Sequence, residues 1–244
     1  MNHYSNEIAN TLARAAADAY RPKVEADTVR SRWSATDAEF IEDDDSTALL
    51  ISDPASLVVA HRGTEITSLN DWRNDFDLRI GNTRCGKLKL SGHSGFLRAW
   101  QAVWPWLWLQ VKDQKPAAVY VTGHSLGAPQ AVLTALALHR EGFPVRGCYT
   151  FGSPRCFTHG SARVVNRSLP NHYRITNGND IVPRVPLPIR FKHCGQHVHL
   201  DRFGREQHRP NWLSLMVDRV LGYRGDLIVE HMMTSYRRAL GGGK

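Results

Sequence analysis

Ala117-Ala118-Val119-Tyr120-Val121-Thr122-Gly123-His124-Ser125-Leu126-Gly127-Ala128-Pro129-Gln130, running on to Arg140, is the stretch from which the fold can be read. It opens on a short apolar run of the kind that forms a buried strand. It ends in a segment whose Ala131, Leu133, Leu136 and Leu138 suit a buried helix. Pro129 falls in that helix's first turn, where proline is tolerated. The Gly123-His124-Ser125-Leu126-Gly127 pattern lies between the two. A strand that reverses into a helix at one residue strains that residue's backbone, and glycines two before and two after leave room for the close approach. Such a turn presents the Ser125 hydroxyl at the carboxyl edge of a sheet, with the helix's unpaired N–H groups beside it. A GxSxG alone is a modest signal; its position between strand and helix makes Ser125 the candidate nucleophile.

Working outward, residues 48–51 and 57–60 read as short strands separated by Asp53-Pro54, and the acidic run Glu42-Asp43-Asp44-Asp45 as a turn between strands. Residues 147–151 and 171–176 give further strands, and residues 198–200 another. An amphipathic helix is expected over residues 1–20, where Ile8, Leu12, Ala16 and Tyr20 recur every four residues. A second helix, residues 95–110, carries Phe96, Trp100, Val103 and Trp104 towards the core, with Pro105 expected to kink or break it. Two helices, about 212–221 and 227–240, close the chain. Strands alternate with helices, so one α/β domain over residues 1–244 is expected, with a mainly parallel sheet covered on both faces.

Composition fits this reading. The chain of 244 residues is 42% hydrophobic and 22% charged, as globular proteins are. No apolar stretch approaches the roughly 18 residues that cross a bilayer. The first twenty residues lack the pattern of a secretory signal, and the expected location is cytoplasmic by default. Four cysteines (Cys85, Cys148, Cys156 and Cys194) have no CxxC spacing, so free thiols are expected and no metal site. The formal charge is +8, and residues 146–209 hold eleven Lys/Arg against three acids. These arginines are scattered among Pro, Asn and Ser, which reads as a solvated basic face and not a nucleic-acid interface.

A serine nucleophile needs a base, and the base an orienting acid. Asp180 follows the strand at 171–176 through Asn177-Gly178-Asn179, which places it on a loop at a strand end; Asp201 and Asp226 are its rivals. Among twelve histidines, pattern alone leaves His208 and His231 open as the base. His197 and His199 alternate as on one face of a strand and read as surface residues.

Six blocks in order then resemble the class 3 lipase family, of the fungal triacylglycerol lipase type. They are Val58-Val59-Ala60-His61-Arg62-Gly63-Thr64, Asp71-Trp72-Arg73-Asn74-Asp75, His93-Ser94-Gly95-Phe96, Gly123-His124-Ser125-Leu126-Gly127, Thr150-Phe151-Gly152-Ser153-Pro154-Arg155 and Asn179-Asp180-Ile181-Val182-Pro183. His61 stands where the family carries an aromatic, and Glu230 where Asp is usual. The resemblance implies an α/β-hydrolase fold and ester hydrolysis through an acyl-serine, with Ser125 as nucleophile, Asp180 as acid and His231 as base. It implies an oxyanion hole from Thr64 and Leu126, and no cofactor. The expected activity is that of a lipase on acylglycerols, with a small-molecule ester or lipid as substrate and transient contact with a lipid interface. A short-chain or aryl esterase, a phospholipase or a non-catalytic binding module are the alternatives. The family also keeps a lid, expected here at about 65–80. Ile66, Leu69, Trp72 and Phe76 are spaced along one helical face there, with Asp71, Arg73, Asn74 and Asp77 opposite.

Overall fold

Strand β6 (Val119–His124) is flanked by β3 (Leu57–His61) and β7 (Val145–Phe151), all three parallel, and β9 (His172–Asn177) and β11 (Gln196–Leu200) continue the parallel run. The computed structural model describes residues 4–43, 46–63, 79–221 and 229–241. Antiparallel strands close the sheet at both margins. On one side β2 (Ser46–Ser52) pairs antiparallel with β1 (Asp37–Asp43), with Asp43 opposite Ser46, and on the other lies β12 (Glu206–His208). The order is β1-β2-β3-β6-β7-β9-β11-β12. Strand β3 is buried along its whole length, the mark of a strand covered on both faces.

The cover is helical. On one face lie α3 (Ser94–Gln114), α4 (Gly127–Arg140) and α5 (His159–Ser168), packed through Trp100, Leu107, Leu133, Leu136 and Val165. The opposite face is covered by α1 (Asn6–Asp18), α2 (Ala26–Trp33) and α7 (Met233–Ala239), through Leu12, Val29 and Tyr236 against Phe151 and Ile175. Helix α6 (Trp212–Leu221) follows β12. Ser5 caps α1 by accepting from the Ile8 N–H at 3.3 Å. Among the described residues no helix is long and apolar enough to cross a membrane.

Four features depart from the sequence reading. A second, four-stranded antiparallel sheet, β10-β8-β5-β4, is built from β4 (Ile80–Cys85), β5 (Leu88–His93), β8 (Phe157–Thr158) and β10 (Phe191–Lys192). Two of its strands are two residues long and carry no periodicity to read. Pro105 does not break α3, which runs on to Gln114. Among the described residues the closing helix is shorter than expected: Val229–His231 is a 3-10 turn, and Met233–Ala239 is α-helical. His199 is buried and His197 half-buried rather than both lying on the surface, and each bonds the Thr176 hydroxyl at 2.9 Å. The four cysteines are free and buried.

Burial decides the ionisation of several core histidines. His61 bonds Thr134 Oγ1 at 2.8 Å, and the same hydroxyl accepts from Trp100 Nε1 at 3.0 Å. Desolvation pushes His61 and His172 down to about 3, and His124 well below its ordinary value. The unfolded chain therefore takes up protons that the fold refuses. Stability is expected to be intact above about pH 6.5 and to fall as pH drops towards 3, by up to about 1.4 kcal/mol per pH unit for each imidazole. Urea midpoints between pH 7.5 and pH 4.5 check this, and a flat profile would contradict it.

Candidate active site

The turn from β6 into α4 carries the strain that the sequence implied. Ser125 has φ 55°, a left-handed conformation that serine rarely adopts. A Cβ on Gly123 would stand 2.7 Å from the Gly127 carbonyl carbon, and one on Gly127 2.6 Å from Arg62 O. No side chain fits at either place, so the two glycines are what lets β6, α4 and the end of β3 meet. Ser125 N–H donates to Phe151 O at 3.0 Å, which ties the turn to the neighbouring strand. Leu126 stands just before the first residue of α4, so its N–H is among the helix's free amino-terminal donors.

Asp180 is buried in the loop beyond β9, and His231 is buried in the 3-10 turn at Val229–His231. The imidazole Nδ1 lies 2.9 Å from Asp180 Oδ2 and 3.0 Å from Oδ1. Two more donors reach the same carboxylate: Val182 N–H to Oδ1 at 2.9 Å and the Tyr236 hydroxyl to Oδ2 at 2.6 Å. With Asp180 accepting at Nδ1, the free nitrogen of His231 is Nε2. Both Nε2 and Ser125 Oγ are buried without a hydrogen-bond partner among the described residues. The imidazole and the carboxylate crowd Gly152, where a Cβ would stand 2.8 Å from His231 Cε1 and 2.9 Å from Asp180 Oδ2.

Of the two candidate histidines, the one that meets Asp180 is His231. His208 is 53% exposed at its side chain and lies 3.4 Å from Glu206. Of the rival acids, Asp201 accepts from the backbone of its own turn, at Phe203 and Arg205, and Asp226 lies outside the described residues. Thr64 and lid residues 65–78, with Ile66, Leu69, Trp72 and Phe76, also lie outside them, and Ile80, at the end of the expected lid, is the first residue of β4.

Other residues hold the imidazole from behind. His124, the residue before Ser125, donates from Nε2 to the His231 carbonyl at 2.7 Å, and its Nδ1 accepts from the Tyr20 hydroxyl at 2.7 Å. The two rings are 4.5 Å apart. Burial, then the neighbouring imidazole, keeps His124 neutral, as this one-donor, one-acceptor role requires. Glu230 accepts from the Asn179 N–H, and its carbonyl accepts from Asn177 Nδ2 at 3.1 Å. The longer acid in this block thus fastens the His231 turn to the Asp180 loop. Sequence reasoning passed over Tyr20 and His124. The only signal was that His124 adjoins the nucleophile. Tyr236→Phe removes a donor from a buried carboxylate and an acceptor from Asn177 N–H, 3.2 Å away. It is expected to lower the unfolding free energy by about 1–3 kcal/mol; a urea curve superimposable on the parent's would contradict this.

Residues 58–189, more than half of the chain, match the family described as Lipase (class 3). The chain is 36% identical over 151 residues to the secreted mono- and diacylglycerol lipase 1 of Fusarium solani, which covers 59% of this chain and 44% of that protein. It is 32% identical over 122 residues to the triacylglycerol lipase OBL1 of Nicotiana tabacum, covering 43% and 21%. The chain therefore matches less than half the length of these curated relatives. Among solved structures, the Rhizomucor miehei triacylglyceride lipase superposes with a TM-score of 0.62 at 24% identity, over 80% of this chain and 79% of that one. The Yarrowia lipolytica LIP2 lipase superposes with a TM-score of 0.66 at 23% identity, over 82% of each. At these identities the likeness establishes the fold, that of the α/β-hydrolases. With its strained serine turn, its ordered sequence blocks and a family match over most of its parallel sheet, this chain belongs to the class 3 lipase family.

Proposed function

We propose that the chain is a serine carboxylic-ester hydrolase acting on acylglycerols through an acyl-serine intermediate. The observation that carries this reading is the buried Asp180–His231 pair, held at 2.9 Å beside a serine at φ 55°. His231 Nε2 takes the Ser125 proton as Oγ attacks the ester carbonyl, and Asp180 fixes the tautomer and stabilises the imidazolium. The tetrahedral oxyanion accepts from the Leu126 and Thr64 N–H groups, each donor worth on the order of 10²–10³ in rate. Thr64 follows Gly63, where a Cβ would stand 2.9 Å from Ser125 Cβ. The intermediate collapses as Nε2–H protonates the leaving alcohol. Water then attacks the acyl-serine by the same route and releases the acid. No cofactor enters this sequence of steps.

The fungal and plant relatives are named as mono- and diacylglycerol or triacylglycerol lipases, which supports an acylglycerol over a short or aryl ester. Leu187 and Ile189, 68% and 77% exposed on the segment after Asp180, support transient contact with a lipid interface.

Initial rates on aryl esters with four-carbon and sixteen-carbon acyl chains test the proposal. Ser125→Ala and His231→Ala are expected to lose several orders of magnitude on both esters, and His208→Ala to keep most of the rate. Loss in His208→Ala with activity retained in His231→Ala would move the base. A parent no faster than Ser125→Ala would overturn the hydrolase reading, and preference for the short ester would favour an esterase. Gly152→Ala pushes a methyl group into the imidazole and should lower kcat about 10²-fold; an unchanged kcat would show that the imidazole tolerates displacement.

A further inference from the structure

The face of the sheet that carries α4 changes character where β9 and β11 reach it. Tyr173 and Ile175 of β9 pack into the opposite core, and His172, Arg174 and Thr176 alternate with them. Sequence composition had suggested that the arginines of this region sit in solvent, yet Arg174 is only 8% exposed. Its Nε is buried with no hydrogen-bond partner.

A buried charge is costly unless something of opposite sign meets it. Burial, opposed by Cys194 and reinforced by Arg155, lowers the Arg174 guanidinium to about 10, so it remains a cation at neutral pH. Among the described residues no carboxylate pairs with it. The two groups that could offset its charge, the Cys194 thiol and the Tyr236 phenol, are both pushed upward, chiefly by burial, and stay neutral. His172 and His193 are pushed down by burial and add no charge of either sign.

Arg174 lines a small cavity between the first turns of α4 and the segment around β10. His172, His193 and Cys194 share the lining with Ser153 and the exposed Lys192, and no acid is among the residues that form it. A water-sized sphere has about 10 Å³ in which to move there, room for one atom-sized occupant and too little for a carboxylate or phosphate. We propose that this cavity is a binding site for a single monatomic anion, a halide such as chloride, held by Arg174 with Lys192 adding positive potential. The anion would neutralise the buried guanidinium and fasten the segment around β10 to β9, the strand that leads into the Asp180 loop.

Thermal unfolding tests this at fixed ionic strength, with sodium chloride exchanged for sodium gluconate, whose anion is too large for the cavity. The melting temperature of the unaltered chain should climb by about 3–5 °C per tenfold rise in chloride above the Kd. In Arg174→Met, which keeps the volume and removes the charge, that dependence should vanish. A melting temperature indifferent to chloride in the unaltered chain would overturn the site and leave water as the occupant. An equal chloride dependence in Arg174→Met would overturn the role of Arg174. Should that variant not fold, crystals of the unaltered chain soaked in bromide decide. An anomalous peak within hydrogen-bond reach of the Arg174 guanidinium supports the proposal, and its absence overturns it.

Discussion

The turn at Ser125 leaves the backbone no slack. Strand β6 must stop, reverse and enter α4 within one residue, while the ends of β3 and β7 close in on either side. The absent side chains at Gly123 and Gly127 make the approach possible, and the bond from Ser125 N–H to Phe151 O sets its depth. Most other features of the site follow from that fixed point. Phe151 leads directly to Gly152, which leaves room for the imidazole. The next parallel strand, β9, delivers Asp180 at its carboxyl end. A strained residue of this kind costs on the order of 1–3 kcal/mol, and the buried contacts of α4 with β3, β6 and β7 are what outweigh it.

Much of this was legible in the sequence because it is local. An apolar run, a GxSxG and a helix at adjacent positions state the turn outright. Asp180 could be singled out because its loop follows a readable strand. The histidine we propose as base could not be, since His231 meets Asp180 from 51 residues away, and no periodicity distinguishes it from His208. Resemblance supplied that choice, and the contact between His231 Nδ1 and the Asp180 carboxylate supports it. The Tyr20–His124 bond spans 104 residues and left no trace in local pattern. The small second sheet escaped notice because β8 and β10 are too short to alternate.

The polar interior beside β9 escaped notice for a different reason. Charge counted along a chain says nothing about which side of a strand each residue occupies. Eleven basic residues in one segment read naturally as a surface, yet the alternation of β9 turns Arg174, with His172 and Thr176, inward. The same alternation seats Tyr173 and Ile175 in the opposite core. A single strand thus packs one core with its odd positions and builds a polar layer with its even ones, and then ends in the loop that carries Asp180.

Whether Ser125 is chemically activated by His231 and Asp180 can be measured without choosing a substrate. The chain would be treated with an alkyl nitrophenyl phosphonate and the adduct located by mass spectrometry, with Asp180→Asn run alongside. An adduct on Ser125, formed much more slowly in Asp180→Asn, is the expected result. An unlabelled Ser125, or labelling at the same rate in the variant, would contradict the assignment of these three residues to one catalytic site.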